Sequence, residues 1–216
     1  MPPIPLQRLS WLLLPALLLT GGCLKLEKPY PQKSSYALEA LRNAQSQQVP
    51  SQRILQIHRF ASAPAYRGRG FVYRTGEQTW QSGYYRQFFT PPAAMITEQC
   101  RRWLQQSGIY SQINQGGYPP ADHLLQGRVV ALHGDYRPGR PPMAVLELQL
   151  TLIDERSSPS RTLLDHLYRR TLPLADREPD TLVNAWDEAL AAILGEFETQ
   201  LRQAQNPDTK PQGPAS

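Results

Sequence analysis

Between Met143 and Ile153 the chain reads MAVLELQLTLI, with Val145, Glu147, Gln149 and Thr151 alternating against Leu146, Leu148, Leu150 and Leu152. A period of two over this length belongs to a strand with one buried and one wet face; no α-helix can gather four leucines at that spacing on one side. The chain must therefore build a sheet and supply an apolar layer to cover the leucines, which are expected in the core. Two helical stripes can do so. In TLVNAWDEALAAILGEFETQLRQA, Leu182, Ala185, Trp186, Ala189, Ile193 and Phe197 share one side, while Asp187, Glu188, Glu196 and Glu198 occupy the others and Asp180 is the expected cap. The second stripe is Ala93, Ile96, Cys100, Trp103 and Ser107, opened by Thr90 as cap with Pro91 and Pro92, and closed by Gly108.

Weaker strand patterns fill the rest. Tyr36, Leu38 and Ala40 alternate in SYALEAL; RILQIHRF (residues 53–60) reads as a central strand; FVYR and TWQSGYY read as a hairpin through Thr75-Gly76. Ile109 to Ile113 forms a short strand, and LLQGRVVALHGDYR a longer one broken at Gly127 and Gly134. RTLLDHLYRRTLPL is a last strand by context, with a helix as the alternative. The predicted fold class is α/β, a mixed, largely antiparallel twisted sheet with two main helices packed on one face.

The N-terminus has a different composition. Arg8 gives a short positive region, Trp11 to Leu19 an apolar run, and Thr20-Gly21-Gly22-Cys23 a small-residue ending. The apolar run is about half of the ~20 residues that a membrane-crossing helix needs. The tetrad resembles a bacterial lipobox, although Thr20 stands where that pattern prefers Leu. The resemblance implies a signal peptide over residues 1–22, acylation and cleavage at Cys23, and a tether over residues 23–35. Two or more acyl chains would hold the protein stably at a membrane. Leu24 follows the cysteine where enterobacterial lipoproteins carry Asp for inner-membrane retention, which implies the periplasmic face of the outer membrane. Loss of residues 1–22 leaves 194 residues and removes Arg8 alone from the charged set, so 22 Lys and Arg face 18 acids, a balance of +4. That dispersed charge is not a nucleic-acid footprint. The domain is expected over residues 36–204, and QNPDTKPQGPAS, residues 205–216, as a disordered tail.

Catalytic and metal signatures are sparse. Four histidines, His58, His123, His133 and His166, stand without HExxH or paired CxxC spacing, so no metal, cofactor or catalytic residue is assigned. His133 and Asp135 can face one way on a strand, but a surface histidine beside a turn acid is the expected reading. Cys100, left alone if Cys23 is acylated, is expected to be a buried thiol rather than a nucleophile or half of an intermolecular disulfide. Tyr73, Trp80, Tyr84, Tyr85, Phe88 and Phe89, with Arg67, Arg69, Arg74 and Arg86, can form either core and rim or a contact patch. Packing accounts least well for Arg67, Arg69 and Tyr84, which are the candidates for a partner surface.

Residues Ile57 to Tyr110, IHRFASAPAYRGRGFVYRTGEQTWQSGYYRQFFTPPAAMITEQCRRWLQQSGIY, resemble the ABC-type transport auxiliary lipoproteins associated with MCE-type intermembrane lipid transporters. The matching positions are Arg59, Phe60, Phe71 to Arg74, Tyr84, Tyr85, Phe88, Pro92 and Trp103; Trp80 and Gly83 depart from the usual tyrosine and acid. Lys28 to Pro31, Tyr36 to Leu38 and LLQGRVVALHGDYR extend the likeness. It implies an α/β domain without catalysis that docks a periplasmic MCE-family protein, with phospholipid contact near the anchored face. The alternative is an anchored structural or activator lipoprotein of another envelope machine, for cell-wall synthesis or lipopolysaccharide insertion.

Overall fold

The leucine alternation folds as a strand, β8 (Met143–Asp154), in which Leu146, Leu148, Leu150 and Leu152 are all fully buried. Each contributes about 2 kcal/mol by leaving water. This computed structural model describes residues 32–43, 51–114 and 116–205. The chain divides into two units, Met1–Gln32 and Lys33–Ser216. The described residues, Gln32 excepted, belong to the second. The expected signal peptide, Cys23, most of the tether and the tail beyond Gln205 lie outside the described residues.

β7 (His123–Asp135) is the spine of the sheet. Along one edge it pairs antiparallel with β8, which in turn pairs antiparallel with β9 (Arg161–Pro173). Its other edge is shared by three short strands laid end to end and parallel to it. These are β2 (Ser51–Ile57), β3 (Ala61–Ser62) and β4 (Gly70–Arg74). β5 (Trp80–Phe88) returns antiparallel on β4, and β1 (Ser34–Tyr36) lies parallel outside β5. At the other end β6 (Tyr110–Asn114) lies parallel outside β2. The two long ladders through β8 make this mixed, twisted sheet largely antiparallel.

Two helices cover the leucine face, α1 (Pro92–Ser107) and α2 (Pro179–Gln205). Trp186 of α2 meets Phe71 edge-on at 5.1 Å and Phe88 at 5.5 Å, tying the helix to the β4–β5 hairpin. α1 buries Ile96, Cys100, Trp103 and Leu104. Two predicted caps are corrected. The N-cap of α1 is Pro91 with no side-chain hydrogen bond, not Thr90, and Gly108 closes the helix in the left-handed conformation (φ 65°) as expected. Asp180 sits inside the first turn of α2, where its charge suits the helix dipole without capping.

Gly127 and Gly134 do not break β7, which runs through both. A Cβ at Gly127 would lie 2.6 Å from the Phe60 ring, so the glycine lets that ring rest on the strand. β1 also stops earlier than the alternation predicts. Residues 37–43 leave the sheet and become a strap over both helices, with Leu38 buried beneath. Side chains supply the hydrogen bonds that a neighbouring strand would have given. The Glu39 N–H donates to Asp187 Oδ1 of α2 at 2.8 Å, and the Ala40 N–H donates to Gln99 Oε1 of α1 at 3.2 Å. Arg42 grips both carboxylate oxygens of Glu198 at 2.9 Å. Glu198, expected on an outer side, therefore sits between the helices, where Trp103 Nε1 donates to it at 2.8 Å and Arg202 Nη2 at 2.7 Å. Burial pushes its carboxyl up, but the bonds from Arg42, Arg202 and Trp103 prevail and hold it at about 2.

Candidate interaction surface

The hairpin turn is closed by the Thr75 and Gly76 N–H groups donating to Thr79 O at 2.9 and 3.3 Å. Further along, Gly70 pairs with Gln87 but Val72 pairs with Ser82, so the intervening residues of β5 bulge. The strands are close there: a Cβ on Gly70 would lie 2.7 Å from Ser82 Oγ. The bulge carries Tyr84, which is 69% exposed. Its ring stands edge-on to Tyr85 at 5.0 Å, and Lys33 Nζ lies 4.2 Å from the ring centre. Arg69 accepts the Phe88 N–H at its carbonyl (2.6 Å), while its Nη1 donates to Phe89 O at 3.3 Å. Phe89 is 68% exposed. Arg67 is exposed just past a 3₁₀ turn, Pro64–Tyr66.

Arg67 and Arg69 share the loop before β4, and of the two Arg69 reaches the end of β5, through its carbonyl's bond to the Phe88 N–H, on the strand that carries Tyr84. Among the described residues no hydrogen bond or ring contact joins the three side chains to one another. The surface offers exposed aromatic rings with arginine donors around them, the composition on which protein contacts concentrate binding energy. The other aromatics divide. Phe88 is core, and Tyr73 stacks on Tyr136 at 5.4 Å. Trp80 is 46% exposed on the sheet face turned away from the helices, beneath Arg74 and 4.9 Å from His133. Lys33 and Phe89 join the surface. Lys33 carried no sequence signal, because only the β1–β5 pairing brings it to Tyr84.

His133 is buried rather than on the surface, because Tyr66 and Trp80 cover it. Its Nδ1 lies 3.3 Å from Tyr66 Oη, and burial pushes its pKa down to about 4, with the nearby Arg74 adding to the effect. Asp135 is engaged by Arg137, whose Nε and Nη2 donate to it at 2.9 and 2.6 Å, holding the carboxyl below its ordinary range. A base held neutral by burial and an acid spent on an arginine do not form a dyad. Cys100 is fully buried, as expected, and burial pushes its thiol up to about 12, so neither thiolate chemistry nor an intermolecular disulfide is open to it. Among the described residues no group of three or more His, Cys, Asp or Glu side chains could hold a metal ion. No helix among them is long and apolar enough to cross a membrane.

No family model matches the sequence, and no curated protein matches it. Solved structures do share the fold. Protein XCC0632 of Xanthomonas campestris, described as DUF330, superposes with a TM-score of 0.64 at 17% identity, over 83% of this chain and 98% of that one. A second structure, described as an uncharacterized protein, gives 0.63 at 16% identity, over 79% of this chain and 99% of its own. At these identities the likeness establishes the fold alone.

Proposed function

We propose that the chain is a lipid-anchored docking component of an MCE-type ABC lipid transport system, held through Cys23 at the periplasmic face of the outer membrane. The observation that carries the reading is the resemblance over Ile57–Tyr110, whose residues fall into two sets in the folded chain. Phe60, Phe71, Phe88, Pro92 and Trp103 are buried and build the domain. Tyr84 is exposed and has no part in the core. An exposed aromatic that packing does not require is what a partner surface leaves in a sequence. Arg69 beside it offers directional donors to an acidic group on the partner. The protein's contribution is position and geometry, with energy drawn from the partner ATPase.

Gentle detergent extraction from the native membrane, followed by affinity purification of the full chain, tests this directly. An MCE-family subunit should copurify, and its absence contradicts the reading. Cys23→Ser should move the protein from the membrane pellet to the soluble fraction with its thermal transition unchanged, because anchor and core use different residues. Full retention in the pellet contradicts anchoring at Cys23.

A further inference from the structure

Beside the strap, α1 is flanked by two adjoining hollows. The first, about 430 Å³, lies between the strap and the start of α1; Leu38, Phe89, Pro91 and Met95 wall it, and Glu39 and Arg102 add an acid and a base to its lining. The second, about 240 Å³, is lined by Ile57, Ala94 and Thr97. Arg59, Ala94 and Glu98 line both, so the two form one groove with Arg59 at the junction. Arg59 is exposed and has no hydrogen bond or ion pair among the described residues. Neither acid of the lining, Glu39 or Glu98, bonds to it. Glu98 accepts from Arg101 Nη2 at 2.5 Å, from Arg101 Nε at 2.9 Å and from Arg102 Nε at 3.0 Å.

We infer that this groove docks a segment of a partner protein in which a carboxylate stands between two apolar side chains. The apolar side chains fill the hollows on either side of Arg59, and the carboxylate meets the guanidinium that Glu98 leaves unpaired. A lipid tail fits less well, since an acyl chain needs one continuous apolar slot and here a cation interrupts it. Phe89 at the mouth is a large aromatic left in water, and Met95 in the wall can adapt its shape to an incoming side chain. This inference rests on the groove alone and stands whether or not the transport reading holds.

The full chain in mild detergent is panned with a displayed library of random dodecapeptides. Enriched sequences are synthesised with fluorescein and titrated by anisotropy. The enriched peptides should carry Asp or Glu with a large apolar residue within two or three positions on each side. Arg59→Glu and Phe89→Ser, both exposed and expected to keep the wild-type thermal transition, should each weaken binding about tenfold or more. Arg161→Glu on the distant β9 edge should leave it unchanged. Failure to enrich any sequence, or enriched peptides that bind both groove variants as well as wild type, overturns the inference. So does the finding that the two substitutions abolish binding to phosphatidylglycerol vesicles while peptide binding is unaffected, since the groove would then serve a membrane surface.

Discussion

Two titratable groups, the half-buried Asp187 and the buried His133, pull the pH dependence of this domain in opposite directions. Asp187 receives the Glu39 N–H from the strap, and its burial pushes the carboxyl up to about 6. A carboxyl with a raised folded pKa binds more protons folded than unfolded, so its contribution to stability falls as pH rises from about 4 to about 6. His133 behaves the other way. Its folded pKa of about 4 lies below the ordinary histidine value, so its contribution is present above pH ~6.5 and is lost as pH falls through about 4. The full histidine effect is on the order of 3 kcal/mol. Thermal unfolding between pH 4 and 7 separates the two. Asp187→Asn, which keeps an acceptor for Glu39, should be at least as stable as wild type at pH 7 and show a steeper loss toward pH 4. His133→Gln should lose the acid-side fall and retain the Asp187 slope. Parallel melting curves for all three proteins would show that neither group is buried as described.

At the scale of elements, β7 determines what the rest can do, because it pairs with β8 along one edge and with three separate strands along the other. Gly127 is the position where it is most tightly constrained. Gly127→Ala should cost about 1–3 kcal/mol by forcing a methyl against the buried Phe60 ring. Denaturant unfolding measures this, and Phe60→Leu in the same chain should recover part of the loss. A neutral Gly127→Ala would show that the ring has room to move. The same glycine marks a limit of the sequence reading. Alternation made β8, the hairpin and both helix stripes legible, since each pattern lies within one short segment. A glycine kept for the approach of a ring 67 positions earlier looks identical to one that breaks a strand. The strap was illegible for a related reason. Its amide and guanidinium partners, Asp187 and Glu198, lie 148 and 156 positions away, and Leu38 had the alternation of a strand without a neighbour to pair with.

For the whole molecule, the fold separates two jobs by face and edge. The leucine face and the two helices hold the domain together. The β1–β5 edge carries Tyr84 and Lys33, and the strap side of α1 carries Phe89 and Arg59, none of which the core requires. Of the three residues singled out from sequence, Tyr84 lies on β5, and Arg67 and Arg69 share the loop before β4, with Arg69 bonded to the end of β5. Composition suggested an aromatic and arginine surface but could not say which rings faced outward, because the bulge in β5 interrupts the strand alternation. On the proposed function, this outward surface meets an MCE-family subunit. A photo-crosslinking residue placed at Tyr84 in the full chain, irradiated in native membranes and read by mass spectrometry, tests it most directly. A covalent product with an MCE-family protein is expected, and it should disappear when the crosslinker is moved to Arg161 on β9. A Tyr84 product with a cell-wall or lipopolysaccharide assembly protein, or no protein product at all, would contradict it.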